Sequence, residues 1–295
     1  PKALQDKFGF KQFKIDRPEY TKGKRLKEVR ILPKMKVGYF EIEWVYEEEP
    51  IQADVESGHE LGIDIGVSNF ATLVDNKSGR SVILDGRELK SYNRFCNKES
   101  AKKKPGSKNK LRLWAKRTRK INEALNQYVN FVLQYCLENK VSHVVIGEGY
   151  LAQEGSNRGD KNNQNFVQLP YGRFCWKLRS KLEGYGITFE TTEESYTSKC
   201  DHLAGEEMVH HEKYMGKRVH RGLFRSSTGV LLNADVNGAL GILLKKGSHK
   251  IDLDQLVCRG FLTQPRRIRL RDISTSSSIR LVKQLAFQAT GLAPS

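Results

Sequence analysis

No CxxC pair occurs anywhere in the chain, and its five cysteines (Cys96, Cys136, Cys175, Cys200 and Cys258) are scattered and odd in number. That argues against a disulfide framework and fits ordinary thiols in a reducing cytoplasm. No apolar run approaches the roughly 18 residues a membrane span requires, and no signal-peptide pattern opens the sequence. Acidic residues are in short supply: 34 Asp and Glu face 51 Lys and Arg, a formal net charge of +17 over 295 residues. So large an imbalance does not suit an enzyme with a neutral substrate. It points to a polyanion, nucleic acid ahead of an acidic membrane surface. The first residue is Pro1 rather than Met, so a processed chain or a fragment is expected.

Hydrophobic periodicity divides the rest. Within 30–46, Phe40, Ile42, Trp44 and Tyr46 alternate with Glu41, Glu43 and Val45, which predicts a half-buried strand. The acidic stretch EEEPIQADVESGHE at 47–60 reads as a linker or domain boundary. LGIDIGV, FATLVD and SVILDG follow as three short strands of an antiparallel meander, then a long helical region over 101–140. SHVVIGEGY reads as a buried strand, a helix is expected from near Pro170 to Gly184 or Gly186, and ITFETTEE as another strand. LLNADVNGALGILLKK, residues 231–246, spaces Leu232, Val236, Ala239, Leu240 and Leu243 as the buried face of a helix. Three strands, helix, strand, helix, strand, helix is the element order of an α/β RNase H-like fold.

Three carboxylates interrupt this apolar framework. Asp64 breaks the run GIDIGV, with Gly62 and Gly66 on its own face and Ile63, Ile65 and Val67 on the other, so something bulky can approach it. Glu148 is flanked by Gly147 and Gly149 at the end of a strand whose Val144 and Ile146 share its face. Asp235 falls in a first helical turn capped by Asn233, where the helix dipole alone would explain it. Asp64 and Glu148 on adjacent parallel strands, with Asp235 brought in by a helix start, make an oxygen-ligand site for Mg²⁺, with Mn²⁺ able to substitute. Gly238, one turn beyond Asp235, would let that helix lie close. Two such ions roughly 3.5–4 Å apart are the machinery of phosphodiester cleavage.

GIDIGVSNFATLVDN, HVVIGEGY, YTSKC and NADVNGALGILLKK together resemble the RuvC nuclease motifs of the TnpB (OrfB) family, transposon-encoded RNA-guided DNA endonucleases related to type V CRISPR effectors. The resemblance runs from about residue 30 to the end. It implies that Asp64, Glu148 and Asp235 are the catalytic, metal-binding carboxylates of a RuvC-like mixed sheet with flanking helices. It implies DNA and a transposon-encoded guide RNA as partners, a role in DNA transposition and recombination, and a prokaryotic cytoplasm with nucleoid association on DNA. On this basis residues 1–56 are expected to be the C-terminal part of a wedge-like β-barrel domain and 57–250 the nuclease domain with an insertion at about 198–230. Residues 251–295 are read as a basic tail. Many relatives carry two CxxC pairs in that insertion; here Cys200, His202, His210, His211 and His220 lack a usual zinc spacing, so a metal-free, β-rich insertion is expected.

Between Ala101 and Lys120 stand ten Lys or Arg residues and no acid, interleaved with Leu111, Leu113 and Trp114. Lys116, Arg117, Arg119 and Lys120 are therefore candidates for phosphate contacts, which supply affinity and salt dependence without sequence specificity. RRIRLR near 266–271 is a second basic candidate. GIDIG also resembles the phosphate loop of actin-like ATPases and sugar kinases, but their second glycine-rich loop is missing. A cut-and-paste transposase orders its carboxylates D-D-E, whereas this order is D-E-D. The remaining alternative is a nucleic-acid-binding remnant or repressor that does not cleave.

Overall fold

The computed structural model describes residues 15–34, 39–77, 80–149, 169–246, 251, 253 and 262–273. The chain divides into two compact units, 1–49 and 50–295. In the first unit, β1 (Arg25–Lys34) and β2 (Tyr39–Glu47) form an antiparallel ladder in which Val29 faces Trp44 and Ile31 faces Ile42. The sequence pattern picked out only the second of these, because β1 (RLKEVRILPK) has no strict alternation.

The second unit is built on one mixed sheet. Its strands are β3 (Glu56–Ile65), β4 (Asn69–Asp75), β5 (Ser81–Asp85), β6 (Val141–Gly147) and β7 (Thr188–Thr192), with β11 (Arg266–Ile268) at one edge. The order is β11-β5-β4-β3-β6-β7. The meander β3-β4-β5 is antiparallel, while β6 joins β3, and β7 joins β6, in parallel. This is the RNase H-like mixed sheet anticipated from the element order. One segment behaves differently: Arg266–Ile268, assigned to a basic tail, pairs in parallel with β5 and buries Ile268 in the core. Its alternation is too short to read as a strand before β5 is in place to receive it. The STSSS run that follows lies outside the described residues.

Helices cover both faces. On one side lie α1 (Arg87–Ala101), α2 (Lys108–Glu138) and α3 (Tyr171–Glu183). There Ile63, Ile65, Phe70, Leu84, Val144 and Ile146 meet Leu125, Tyr128, Val132 and Phe174. Each such large side chain contributes roughly 1.5–3 kcal/mol on burial. Phe70 stacks on Tyr128 with centroids 4.6 Å apart and meets Phe174 edge-on at 5.0 Å. Polar anchors fix the register of α2: Tyr128 donates to the Asp85 carbonyl at 2.8 Å, and Tyr135 donates to Asp75 Oδ2. The helical region expected over 101–140 is one helix, α2, which starts at the Ser107 N-cap, and a separate helix, α1, precedes it. The α1 helix escaped notice because its buried positions are Leu89, Asn93, Cys96 and Ser100, only one of them a large hydrophobe.

Among the described residues the opposite face carries one long helix, α4 (Ala234–Lys246), whose Val236, Ala239, Leu240 and Leu243 pack with Val74 of β4. Asn233 caps it as expected, its Oδ1 accepting from the Asp235 amide at 2.9 Å. Before α4 stands a small three-stranded sheet, β8 (Lys217–His220), β9 (Leu223–Arg225) and β10 (Leu231–Asn233), ordered β10-β9-β8. Two carboxylates tie its loops. Asp201 Oδ2 accepts from Ser226 Oγ at 3.0 Å, Ser227 N at 2.6 Å and Ser227 Oγ at 2.9 Å. Glu206 accepts from the amides of Asp201 at 2.7 Å and Met215 at 2.8 Å. Asn237 of α4 donates to the Cys200 carbonyl at 3.0 Å, which anchors the insertion to the helix.

Gly62 sets how close α4 sits. A Cβ there would stand 2.6 Å from the Ala239 carbonyl oxygen and 2.7 Å from Leu243 Cβ, well inside contact distance. Gly62→Ala should therefore lower stability by roughly 1–3 kcal/mol through overpacking. Gly172→Ala, where nothing lies within 4 Å, should be neutral or stabilising by up to about 1 kcal/mol. Thermal melts of the two variants check this; a Gly62→Ala protein that melts with the parent contradicts the close packing of α4 on β3.

Candidate functional site

Two parallel strands and one helix start bring the sequence-derived carboxylates to the same end of the sheet. Asp64 is the last residue but one of β3, Glu148 directly follows β6, and Asp235 is the second residue of α4. Asp64 and Asp235 face each other across the α4 contact. A Cβ at Gly238 would lie 2.9 Å from Asp64 Oδ2, so the small residue one turn after Asp235 does permit the close approach. Asn69 Nδ2 donates to Asp235 Oδ2, and Asp235 Oδ1 is 3.8 Å from Arg218 Nη2.

Glu148 is placed otherwise. The β3–β6 register pairs Ile63 with Ile146, and both belong to the core beneath α1–α3. The next residues, Asp64 and Gly147, therefore turn toward α4, and Glu148 continues the Val144–Ile146 side. Its amide donates to the Thr192 carbonyl at 2.8 Å, and its Oε1 accepts from Thr191 Oγ1. Thr191 is itself paired with Ile146.

A fourth carboxylate, Glu194, was not picked out from the sequence. A Cβ on Gly147 would collide with Glu194 Oε1, and one on Gly149 with Glu194 Oε2. The side chain of Glu194 thus fills the room those two glycines leave. The sequence offered one clue: the bare backbone around Glu148 had to be open for some neighbour, and TTEE ends the adjoining strand.

Electrostatics follow the crowding. Burial first, then the charges of Glu194 and Asp235, push the Asp64 carboxyl well above the ordinary carboxylate range. Arg218 and the Ile65 amide pull it back in part. Beside this cluster opens a cleft of about 740 Å³ lined by Ser68, Asn69, Lys90, Arg218, Arg221 and Asp235. Three cations, Lys90, Arg218 and Arg221, share its lining with one carboxylate, Asp235, which suits contact with a phosphodiester backbone. Arg218, on β8 of the insertion, carries no sequence signal of its own.

The donor set fits a hard divalent cation: Glu194 and Asp235, the acids whose charges raise the Asp64 carboxyl, offer carboxylate oxygen, and glycines at 147, 149 and 238 clear space around them. Among the described residues no three His, Cys, Asp or Glu side chains stand together as a finished ligand set; Asp235 and Glu148 each rest on their own donor, Asn69 and Thr191. In the insertion, the candidate zinc ligands have separate partners. Cys200 Sγ is 3.4 Å from the Glu207 carbonyl, buried His202 meets the Thr197 carbonyl at 2.6 Å, and His211 meets that of Glu207 at 2.8 Å. His210 packs edge-on to Tyr196, and His220 Nδ1 lies 3.1 Å from the Arg221 carbonyl.

The basic run splits by role. Lys116 and Arg119 are exposed on α2. Arg117 turns inward: its Nε donates to Asn93 Oδ1 at 2.6 Å, its guanidinium lies over the Trp114 ring, and burial lowers its pKa. Lys120 sits over the Tyr92 ring at 4.6 Å. Arg117 therefore joins α1 to α2, a use that charge patterning alone does not reveal.

The crowding of Asp64 makes a stability prediction. An Asp whose pKa is raised by folding gives up stability as pH climbs from its ordinary value near 4 toward the raised one. In chelator, Asp64→Asn should melt with the parent near pH 4 and above it by several degrees at pH 7.5. Equal melting at both pH values contradicts the crowding.

Residues 43–152 match the OrfB_IS605 family, described as a probable transposase, and residues 171–242 match the Cas12f1-like TNB domain family. No curated protein matches the chain. Among solved structures, a Cas12f1–sgRNA–target DNA complex is similar at 18% identity with a TM-score of 0.53, over 81% of this chain and 50% of that one. A CRISPR-Cas12f ternary complex is similar at 19% identity with a TM-score of 0.42, over 76% and 45%. The chain spans about half the length of these structures. The first likeness is one of fold, and it agrees with the RuvC-like sheet and flanking helices. The two family matches follow one another along that sheet, from the Asp64 strand to the Asp235 helix, and agree with the resemblance to the TnpB (OrfB) family.

Proposed function

We propose that this protein is a divalent-metal-dependent DNA endonuclease of a transposable element, directed by a guide RNA. The observation that carries the reading is the desolvated Asp64 facing Asp235 across the glycine-lined contact of α4 with the sheet, at the mouth of a cationic cleft. Asp64 and Asp235 would hold Mg²⁺ or Mn²⁺, together with a glutamate from the β6–β7 side, for which the sequence nominates Glu148. Divalent ions held there supply an activated water and charge stabilisation for the leaving oxygen of a phosphodiester. Lys90, Arg218 and Arg221 would seat the backbone phosphates of one DNA strand along the cleft. Asn69 orients the Asp235 carboxylate, and Arg218 offsets the local negative charge until phosphate arrives. The solved relative is a complex with sgRNA and target DNA, and +17 net charge suits both partners. We infer the β1–β2 unit to be part of a wedge-like β-barrel, and the setting to be a prokaryotic cytoplasm.

Asp235→Asn discriminates between ligand and helix-start roles. As a helix-start residue only, its replacement would cost at most about 1 kcal/mol and cutting would survive. As a ligand, its loss should cut Mg²⁺-dependent cleavage of single-stranded DNA by roughly a thousandfold or more, with binding retained. Cleavage near the parent rate in a soluble Asp235→Asn protein would return Asp235 to a helix-start role, whereas a parent that binds DNA without cutting it would favour a non-cleaving binder. Sequencing of RNA copurifying with the protein tests guidance: one defined non-coding RNA is expected, and random cellular RNA contradicts it.

The surface charges make a separate prediction. Replacing exposed Lys116 and Arg119 with Gln should weaken binding to unrelated DNA sequences equally and reduce the log–log salt slope by roughly one for each phosphate left unneutralised. Arg117→Gln should instead lower the melting temperature. An unchanged slope would leave Lys116 and Arg119 as a solvated face.

A further inference from the structure

The cation site proposed above takes its third carboxylate from the β6–β7 side of the sheet, where two glutamates are available. We propose that Glu194, rather than Glu148, is the carboxylate that joins Asp64 and Asp235 in holding the divalent cation; this rests on the metal-site reading of Asp64 and Asp235.

Strand register separates the two. Ile63 pairs with Ile146 and Ile146 with Thr191, so these three form one row across β3, β6 and β7 on the side of α1–α3. The next row is Asp64, Gly147 and Thr192, Gly147 being the partner of Thr192, and it faces α4. Two residues along from Ile146 is Glu148, and two along from Thr192 is Glu194. Alternation therefore sends Glu148 toward Thr191 and Glu194 toward Asp64. Side-chain positions agree: Glu148 accepts from Thr191 Oγ1, and the Glu194 carboxylate lies on the backbone of Gly147 and Gly149.

The two glycines now have a physical reason. Gly147 stands between Asp64 and the β7 edge, and any side chain there would displace Glu194. Gly149 clears the second carboxylate oxygen. The Glu194 main chain is fixed by a turn in which its carbonyl accepts from Thr197 N at 3.2 Å and Thr197 Oγ1 at 2.8 Å. Its neighbour Glu193 is drawn away from the site, to Lys245 on α4 at 2.8 Å. Ser198, four residues on, reaches the Gly238 position, within 3.9 Å of where its Cβ would be. The segment after β7 thus passes over Asp64 and α4 together, and Glu194 is its acidic contribution.

The test is Mn²⁺ binding to the purified protein without nucleic acid, read from the electron paramagnetic resonance signal of free Mn²⁺, for the parent, Asp64→Asn, Asp235→Asn, Glu148→Gln, Glu194→Gln and Glu194→Asp. Thermal melts establish that each variant is folded. Glu194→Gln should weaken Mn²⁺ binding by about tenfold or more, Glu148→Gln several-fold less, and Glu194→Asp should recover part of the loss because the carboxylate is kept. A larger loss for Glu148→Gln, or equal losses for both, overturns the assignment. If Asp64→Asn and Asp235→Asn weaken binding while Glu194→Gln does not, the assignment fails and the metal site stands. If the parent binds no more Mn²⁺ than Asp64→Asn and Asp235→Asn, the metal-site reading fails and the assignment fails with it.

Discussion

The approach of α4 to β3 governs what this end of the molecule can do. A helix rarely lies so near a strand, because side chains hold the two apart. Here Gly62 meets the Ala239 carbonyl, and Gly238 meets the Asp64 carboxylate. The contact delivers Asp235 to Asp64, and it also leaves Asp64 half-buried beside other acids. Such crowding of like charge has a cost in folding free energy, and the large apolar core on the other face of the sheet offsets it. A fold that tolerates this arrangement of oxygen donors is suited to a dication, whose charge would turn repulsion into attraction.

Much of this was legible in the residues. The meander, the two crossover strands and the helices α2, α3 and α4 follow from apolar periodicity, and Asp64 and Asp235 stand out because each interrupts an otherwise apolar element. Gly238 was recognised for its close packing because its position relative to Asp235 is fixed within one helix. What could not be read were relations between segments. The faces of β3 and β6 depend on register, and only the pairing of Ile63 with Ile146 shows that Glu148 and Asp64 turn opposite ways. Glu194 lies just beyond a third strand, and Arg218 on an insertion anchored by Asp201 and Asn237, so neither had a local pattern to announce it. The β11 strand exists only because β5 receives it.

Charge tells a similar story. The run at 101–120 looks uniform as a string of letters, yet the helix geometry of α2 turns Arg117 toward Asn93 and Trp114 while Lys116 and Arg119 face outward. Long cationic side chains serve packing as readily as they serve phosphate binding. The cations that share a cleft with Asp235, Lys90, Arg218 and Arg221, are scattered in sequence and are gathered only by the fold.

The crowded carboxylates at the end of β3 are proposed to form a site for a divalent cation. Diffraction from crystals soaked in Mn²⁺, recorded to bring out the anomalous signal of manganese, addresses it most directly. An anomalous peak is expected between Asp64 and Asp235, with Glu194 as the nearest further carboxylate. Full Mn²⁺ loading with no peak there, or with the only strong peak among the histidines of the insertion, would contradict it.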